Sequence, residues 1–166
     1  MSHHRIRLRG PWQYRVVARE DLTEDGCMIE RTAPLPPPGC IHVPEEWDAP
    51  FRENFWGRVA YIRQFNRPTG LDGARVWLAV EGALPLASLS LNGRSLASAG
   101  PETPAFFDVT EMLQPHNEIT LEVERLQPTI GAGAEASNRA ADVPGHARTG
   151  LEEVYLEIRP ADHSAN

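Results

Sequence analysis

Apolar and polar residues alternate one for one along much of this chain, and the alternation restarts each time a glycine or proline breaks it. Arg5-Ile6-Arg7-Leu8-Arg9 is the first such run and predicts a half-buried strand. Gly10-Pro11 ends it, and a second strand is expected over Trp12 to Val17. Residues 20–26 read as a polar loop, and Thr32 to Gly39, with four prolines, as an extended surface connection that a sheet interior would not accept. Cys40 to Val43 predicts a short strand closed by Pro44. Residues 45–57 form a long loop that mixes aromatic and charged side chains.

Three strands are then expected in quick order over Arg58–Phe65, Ala74–Glu81 and Leu86–Leu91. In the second, Val76, Leu78 and Val80 share a face; in the third, Leu89 and Leu91 do. Asn92-Gly93 is a strong hairpin signal, because a type I′ turn needs positive φ at both central positions. Arg94–Ala97 is the return strand. Asp108 is placed to cap one helical turn over Thr110–Leu113. In Asn117–Glu124 the residues Ile119, Leu121 and Val123 point inward, and in Val154–Ile158 the residues Val154, Leu156 and Ile158 do. The pattern amounts to roughly nine or ten short strands without a long helix, which predicts an all-β sandwich. At 166 residues the chain is expected to be one domain, with its core over about 5–159 and an Ala/Gly/Pro-rich loop at 125–149.

Composition narrows the function classes. The 16 basic residues, all arginine, are interspersed among 23 acids for a net charge of −7. No basic stripe follows from this, so nucleic acid is not an expected partner. No apolar run approaches the ~18 residues of a membrane span. The basic start Met1–Gly10 has no apolar stretch behind it, so a cytoplasmic location is the expectation. The two cysteines, Cys27 and Cys40, are too few for a disulfide framework and are expected to be free thiols.

Chemical motifs are sparse. Gly131-Ala-Gly133-Ala-Glu-Ala136 fits a dinucleotide fingerprint in spelling alone, since no strand feeds it and no helix follows, and it reads as a loop. His42, His116, His146 and His163 are isolated and His3-His4 is terminal, so no metal site is expected, and no cofactor is. Glu152 and Glu153 would point to opposite sides of a strand and cannot serve one site from regular β structure. No nucleophile, metal or paired-acid constellation is legible, and the chain is not expected to be an enzyme. The informative stretch is the loop where Trp47, Phe51, Phe55 and Trp56 interleave with Asp48, Arg52, Glu53 and Asn54. Aromatic faces over sugar C–H patches, with carboxylate, amide and guanidinium groups on hydroxyls, are how proteins bind carbohydrate.

Several segments occur in a recognisable order: Leu8-Arg-Gly-Pro-Trp12, Val43-Pro-Glu-Glu-Trp47, and Trp56-Gly-Arg-Val-Ala-Tyr61-Ile-Arg63-Gln-Phe65. They continue with Ala74–Gly82, Leu91-Asn92-Gly93-Arg94, Phe107-Asp108-Val109-Thr110, Asn117–Val123 and Thr149-Gly150-Leu151 leading into Val154–Ile158. From Arg7 to Arg159 this order resembles the N-terminal sugar-binding domain, a galactose-binding-like jelly roll, of glycoside hydrolase family 2, the β-galactosidase and β-glucuronidase group. In that family the catalytic glutamates belong to a separate barrel domain, so the resemblance implies a non-catalytic domain. It also implies that the loops nearest a sugar correspond to Asp48–Trp56 and about Asp142–Arg148. The expected ligand is a carbohydrate at the loop end of the sandwich, held by Asp48, Arg52, Asn54 and Trp56 with His146 and Arg148. Trp56 would stack on the ring, while Trp12, Trp47, Trp77 and Phe107 take core or loop-anchoring roles. The alternative is a protein-interaction or homo-oligomerisation module that docks a partner through the same loop end.

Overall fold

A computed structural model describes residues 4–22, 25, 27–31, 34–43, 56–83, 86–98, 104–125 and 150–160. Eleven strands and one 3₁₀ turn form among them. In the first half these are β1 (His4–Arg7), β2 (Trp12–Leu22), β3 (Met28–Arg31), β4 (Gly39–Ile41) and β5 (Trp56–Asn66). Then follow β6 (Arg75–Ala83), β7 (Leu86–Leu91), β8 (Arg94–Ser98), β9 (Ala105–Asp108), the turn Thr110–Met112, β10 (His116–Arg125) and β11 (Gly150–Arg159). The fold is an all-β sandwich. A four-stranded sheet runs β1-β11-β6-β9, and a larger sheet runs β3-β2-β5-β10-β7-β8 with β4 also beside β2. Every pairing is antiparallel. No helix among the described residues is long and apolar enough to cross a membrane.

Period-two alternation decides which side chains the sheets enclose. Val59 and Tyr61 of β5, Ile119, Leu121 and Val123 of β10, and Leu89 and Leu91 of β7 supply the large sheet's inner rows. Val76, Leu78 and Val80 of β6 and Val154 and Leu156 of β11 supply the small sheet's rows. All are at most 2% exposed and belong to one cluster. Burying a Val, Leu or Ile side chain is worth about 1.5–3 kcal/mol, so this seam dominates stability. Trp12 is wholly buried, and its indole Nε1 donates to the Leu8 carbonyl at 2.7 Å, which satisfies its polar end.

The structure departs from the expected elements where backbone pairing does not need an apolar side chain. β2 continues through the polar residues to Leu22, because Glu20 and Asp21 pair with Glu30 and Ile29 of β3. β9 is a further strand, paired to β6 from Val80↔Ala105 to Trp77↔Asp108. The 3₁₀ turn has Val109, not Asp108, as its N-cap, without a side-chain cap bond. Asp108 acts one residue later, where its Oδ1 accepts from the Thr110 amide (3.1 Å) and hydroxyl (2.6 Å). Trp77 is not between the sheets: its neighbours Val76 and Leu78 point inward, and it lies outside under Arg159. Phe107 packs against the core as expected, Trp47 lies outside the described residues, Cys40 is an exposed free thiol and Cys27 is exposed. The Asn92-Gly93 hairpin has φ of 52° and 75°, the left-handed values its sequence predicts.

Pairing also defines the two ends of the sandwich. Trp56 faces Glu20, Gly57 faces Arg125, Gly150 faces Ala83 and Leu86 faces Val123, so these strand ends share one end, hereafter the loop end. Asn66 faces His116 at the other, beside the Asn92-Gly93 hairpin.

At the loop end β2 and β5 approach unusually closely. Gly57 has φ of +133°, and a Cβ there would land on the Ala18 carbonyl oxygen, beside the register shift between Val16 and Ala18. Gly93 also has positive φ, +75°, but open space around its missing Cβ. Gly57→Ala must therefore both strain the backbone and push β2 and β5 apart, whereas Gly93→Ala does only the first. The expected losses are more than about 2 kcal/mol for Gly57→Ala and about 1 kcal/mol for Gly93→Ala. Urea unfolding of both variants checks the order; equal losses would contradict the packing argument.

Candidate functional site

Five of the residues expected to bind a ligand, Asp48, Arg52, Asn54, His146 and Arg148, lie outside the described residues, as does the Gly131–Ala136 motif. Trp56 is placed as the first residue of β5. The strands do fix where the two expected loops are anchored. Residues 44–55 run into β5 at Trp56, and residues 126–149 join β10 at Arg125 to β11 at Gly150. Because Arg125 faces Gly57, both loops enter or leave at the loop end. Arg58 stands there with NH2 3.9 Å from Glu124 Oε1, and its Nε is buried without a hydrogen-bond partner.

The opposite end holds a cleft of about 700 Å³ between the sheets. Ile6, Leu8 and Leu156 of the small-sheet side form one wall, and Arg63, Phe65 and the start of β10 the other. Arg63 shares the inner face of β5 with Tyr61 and Phe65, both packed in or against the core. Its NH1 donates to the Pro11 carbonyl at 2.7 Å, while its Nε is buried without a partner. Around the rim, Gln64 donates to Glu118 at 3.2 Å, His116 Nδ1 lies 2.9 Å from Asn66 Oδ1, and Arg7 pairs with Glu153 at 2.6 Å. Among the described residues no three His, Cys, Asp or Glu side chains are grouped to hold a metal ion.

Two amides in the cleft lining are committed to structure. Asn92 donates through Nδ2 to the Met112 carbonyl and to Asn117 Oδ1, both at 3.0 Å, and its Oδ1 accepts from the Glu118 amide at 2.9 Å. Asn117, 3% exposed, accepts from the Gln114 amide at 2.8 Å and donates to the Gln114 carbonyl at 2.7 Å. These bonds tie the hairpin to the entry of β10 and leave neither amide free for a ligand. Arg63 is the inward-facing polar side chain of the lining; Gln64 and Asn66 alternate with it onto the other face of β5, where they bond Glu118 and His116. Composition and motif give no pointer to this cleft; the signal that could have found it is the alternation Tyr61-x-Arg63-x-Phe65, which turns an arginine inward.

The outer face of the small sheet carries a second cluster of charge and aromatic rings. Tyr155 is wholly buried there; its hydroxyl donates to Glu81 at 2.7 Å, and Arg5 covers its ring at 4.6 Å. Glu157, also buried, takes Arg159 at 2.7 Å and Arg5 at 3.4 Å. Arg159 lies over both Trp77 (4.9 Å) and Phe106 (5.6 Å). Arg75 pairs with Asp108. The arginines here are matched by acids, which makes the cluster a brace for the sheet.

No protein-family model and no curated protein sequence matches the chain. Solved structures do. The fold is similar to part of a Bifidobacterium dentium β-glucuronidase, solved with coumarin-3-O-glucuronide, at 27% identity and TM-score 0.65 over 97% of this chain and 31% of that one. A Faecalibacterium prausnitzii β-glucuronidase matches at 22% identity and TM-score 0.64, over 96% of this chain and 32% of that one. A Bacteroides fragilis protein described as a putative β-galactosidase matches at 17% identity and TM-score 0.56, over 96% and 24%. The chain thus spans about a quarter to a third of the length of these proteins. The likeness agrees with the family resemblance carried by the sequence motifs.

Two groups of this cluster contribute to the pH dependence of stability. Burial pushes the Asp108 carboxyl up, but the Thr110 hydroxyl and amide and the Arg75 guanidinium outweigh it and hold it below the ordinary 3.8. A carboxyl depressed in the fold adds stability above its unfolded value and loses it as pH falls through the folded one. The Tm gap between wild type and Asp108→Asn is therefore expected to be widest near neutrality and to close below 3.8. Tyr155 is pushed up to about 12 by burial and by its bond to Glu81, from 10.0. Its contribution is intact below pH 10.0 and is lost as pH rises toward 12, so Tyr155→Phe is expected to flatten the alkaline limb. Thermal melts by circular dichroism from acid to alkali read both effects.

Proposed function

We propose that this chain is a non-catalytic carbohydrate-binding module, similar to the N-terminal sugar-binding domain of family 2 glycosidases, with its ligand at the loop end. The observation that carries this reading is the similarity to a β-glucuronidase along 97% of the chain at 27% identity. The motifs from Leu8-Arg-Gly-Pro-Trp12 to the closing β11 strand support it. So does the anchoring of both loops at one end of the sandwich. Asp48, Arg52, Asn54, Trp56, His146 and Arg148 form the site in this proposal: Trp56 stacks on the sugar ring, and the charged and amide groups orient hydroxyls. The absence of catalysis follows from the resemblance, which assigns the reacting glutamates to a different domain.

A second reading is supported by the share of the matched glycosidases that this chain spans, 31% in the B. dentium protein. A domain that neighbours others in a longer chain has a surface suited to docking, so the same loop end could instead contact a protein partner or a second copy. Tryptophan fluorescence of the full chain, titrated with a panel of neutral and acidic mono- and oligosaccharides, separates the two. A saturable change with one sugar class that disappears in Trp56→Ala is the result expected of the sugar module. No response to any sugar, with a concentration-dependent dimer in analytical ultracentrifugation that Trp56→Ala dissociates, would favour the docking surface.

A further inference from the structure

The connection between β3 and β4 carries Pro34, Pro36, Pro37 and Pro38. Each ring fixes its own φ, and each residue ahead of a proline is pushed to extended backbone, so the stretch is committed to the polyproline II conformation. Residues 35–38 accordingly lie in no strand or helix. A polyproline II helix repeats every three residues, and exposure here has that period. Pro36 and Gly39 are half-buried, whereas Pro34, Leu35, Pro37 and Pro38 are exposed. One ridge of the rod therefore faces the protein and two face outward. The inward ridge is seated at Gly39, where a Cβ would land on the ring of Tyr14, itself packed against the core.

Exposed apolar side chains gather along the same edge of the large sheet. Val17 of β2 is 37% exposed, Ile29 of the paired strand β3 is 53% exposed, and Leu35 of the rod is 36% exposed. Prolines at a sheet edge keep another strand from pairing there. That role needs only the missing donors; it does not require two outward apolar ridges on a seated rod.

We propose that residues 34–38 are a docking rod for a partner protein with an aromatic-lined groove of the SH3 kind, which takes Pro-x-x-Pro ligands. Pro34 and Pro37 stand one turn apart on an outward ridge, the spacing that such a groove reads, and Leu35 and Pro38 form the ridge beside them. The rod is stiff before the partner arrives, so little conformational freedom is lost on binding. Arg31 precedes Pro34 by the same three residues, which suits a groove with a carboxylate at one end. The inference rests on neither reading of the loop end.

The test is isothermal titration of the full chain with a purified SH3 domain, and with a WW domain for comparison. The SH3 domain is expected to bind saturably, and a form of it with the groove tryptophan changed to alanine is expected not to. Pro34→Ala/Pro37→Ala is expected to weaken binding at least about tenfold, and Pro36→Ala, on the inward ridge, by less than about threefold. Thermal melts check that both variants keep the sandwich. No binding of the SH3 domain, or equal losses in the two variants, overturns the proposal. Binding by the WW domain alone overturns the assignment to an SH3-type groove. Aggregation of the double variant, when the wild-type chain binds no SH3 domain, would make the prolines edge guards and overturns it as well.

Discussion

The described strands are organised by the requirement that two sheets share one apolar seam. Side chains alternate with a period of two, so committing Val76, Leu78 and Val80 to that seam commits Trp77, Ala79 and Glu81 to the other face. The same arithmetic along β5 puts Val59, Tyr61, Arg63 and Phe65 inward in succession. An arginine in that row is tolerable only where the seam ends. That is where Arg63 is found, and it is why a polar cleft and a hydrophobic core are continuous.

The face that the seam turns outward is not a passive surface. Tyr155 and Glu157 lie beside each other's cross-strand partners on the small sheet and are as buried as core residues, although they point away from the core. Arginines from β1 and β11 cover them. Exposed ion pairs contribute little individually, and these arginines are mostly half exposed. The aliphatic stems and guanidinium planes that lie over aromatic rings do more, because among the described residues nothing else covers that side of the sheet.

Much of this architecture was legible in the chain. The rows Ile119-Leu121-Val123 and Val154-Leu156 point inward as their alternation predicts, and Asn92-Gly93 turns as its φ requirement dictates. What escaped were β9, β3 and the end of β2; the last two carry polar side chains without a pattern while their backbones pair regularly. Trp77 shows the limit of reading residue type before position: a tryptophan suggests a core, yet its two neighbours had already claimed the core face. The cleft was hidden for a related reason. Its donors come from strands far apart in sequence, and most of its amides turn out to be occupied by the hairpin and the start of β10. The loops richest in recognition chemistry, 44–55 and 126–149, carry no periodicity from which a conformation could be derived.

The bonds around Asn92 also bear on how long the molecule lasts. Asparagine followed by glycine is the dipeptide whose backbone nitrogen most easily closes on the side-chain carbonyl, releasing ammonia and leaving an acid. That ring closure needs the side chain to swing freely. Here both atoms of the amide are bound, to Met112, Asn117 and Glu118, and the backbone is fixed in the left-handed region. An acid at that position would remove the donor that Met112 and Asn117 share and set a negative charge beside Glu118. The hairpin therefore protects its own most perishable bond for as long as it stays folded, and each excursion to the unfolded state exposes that bond to ageing.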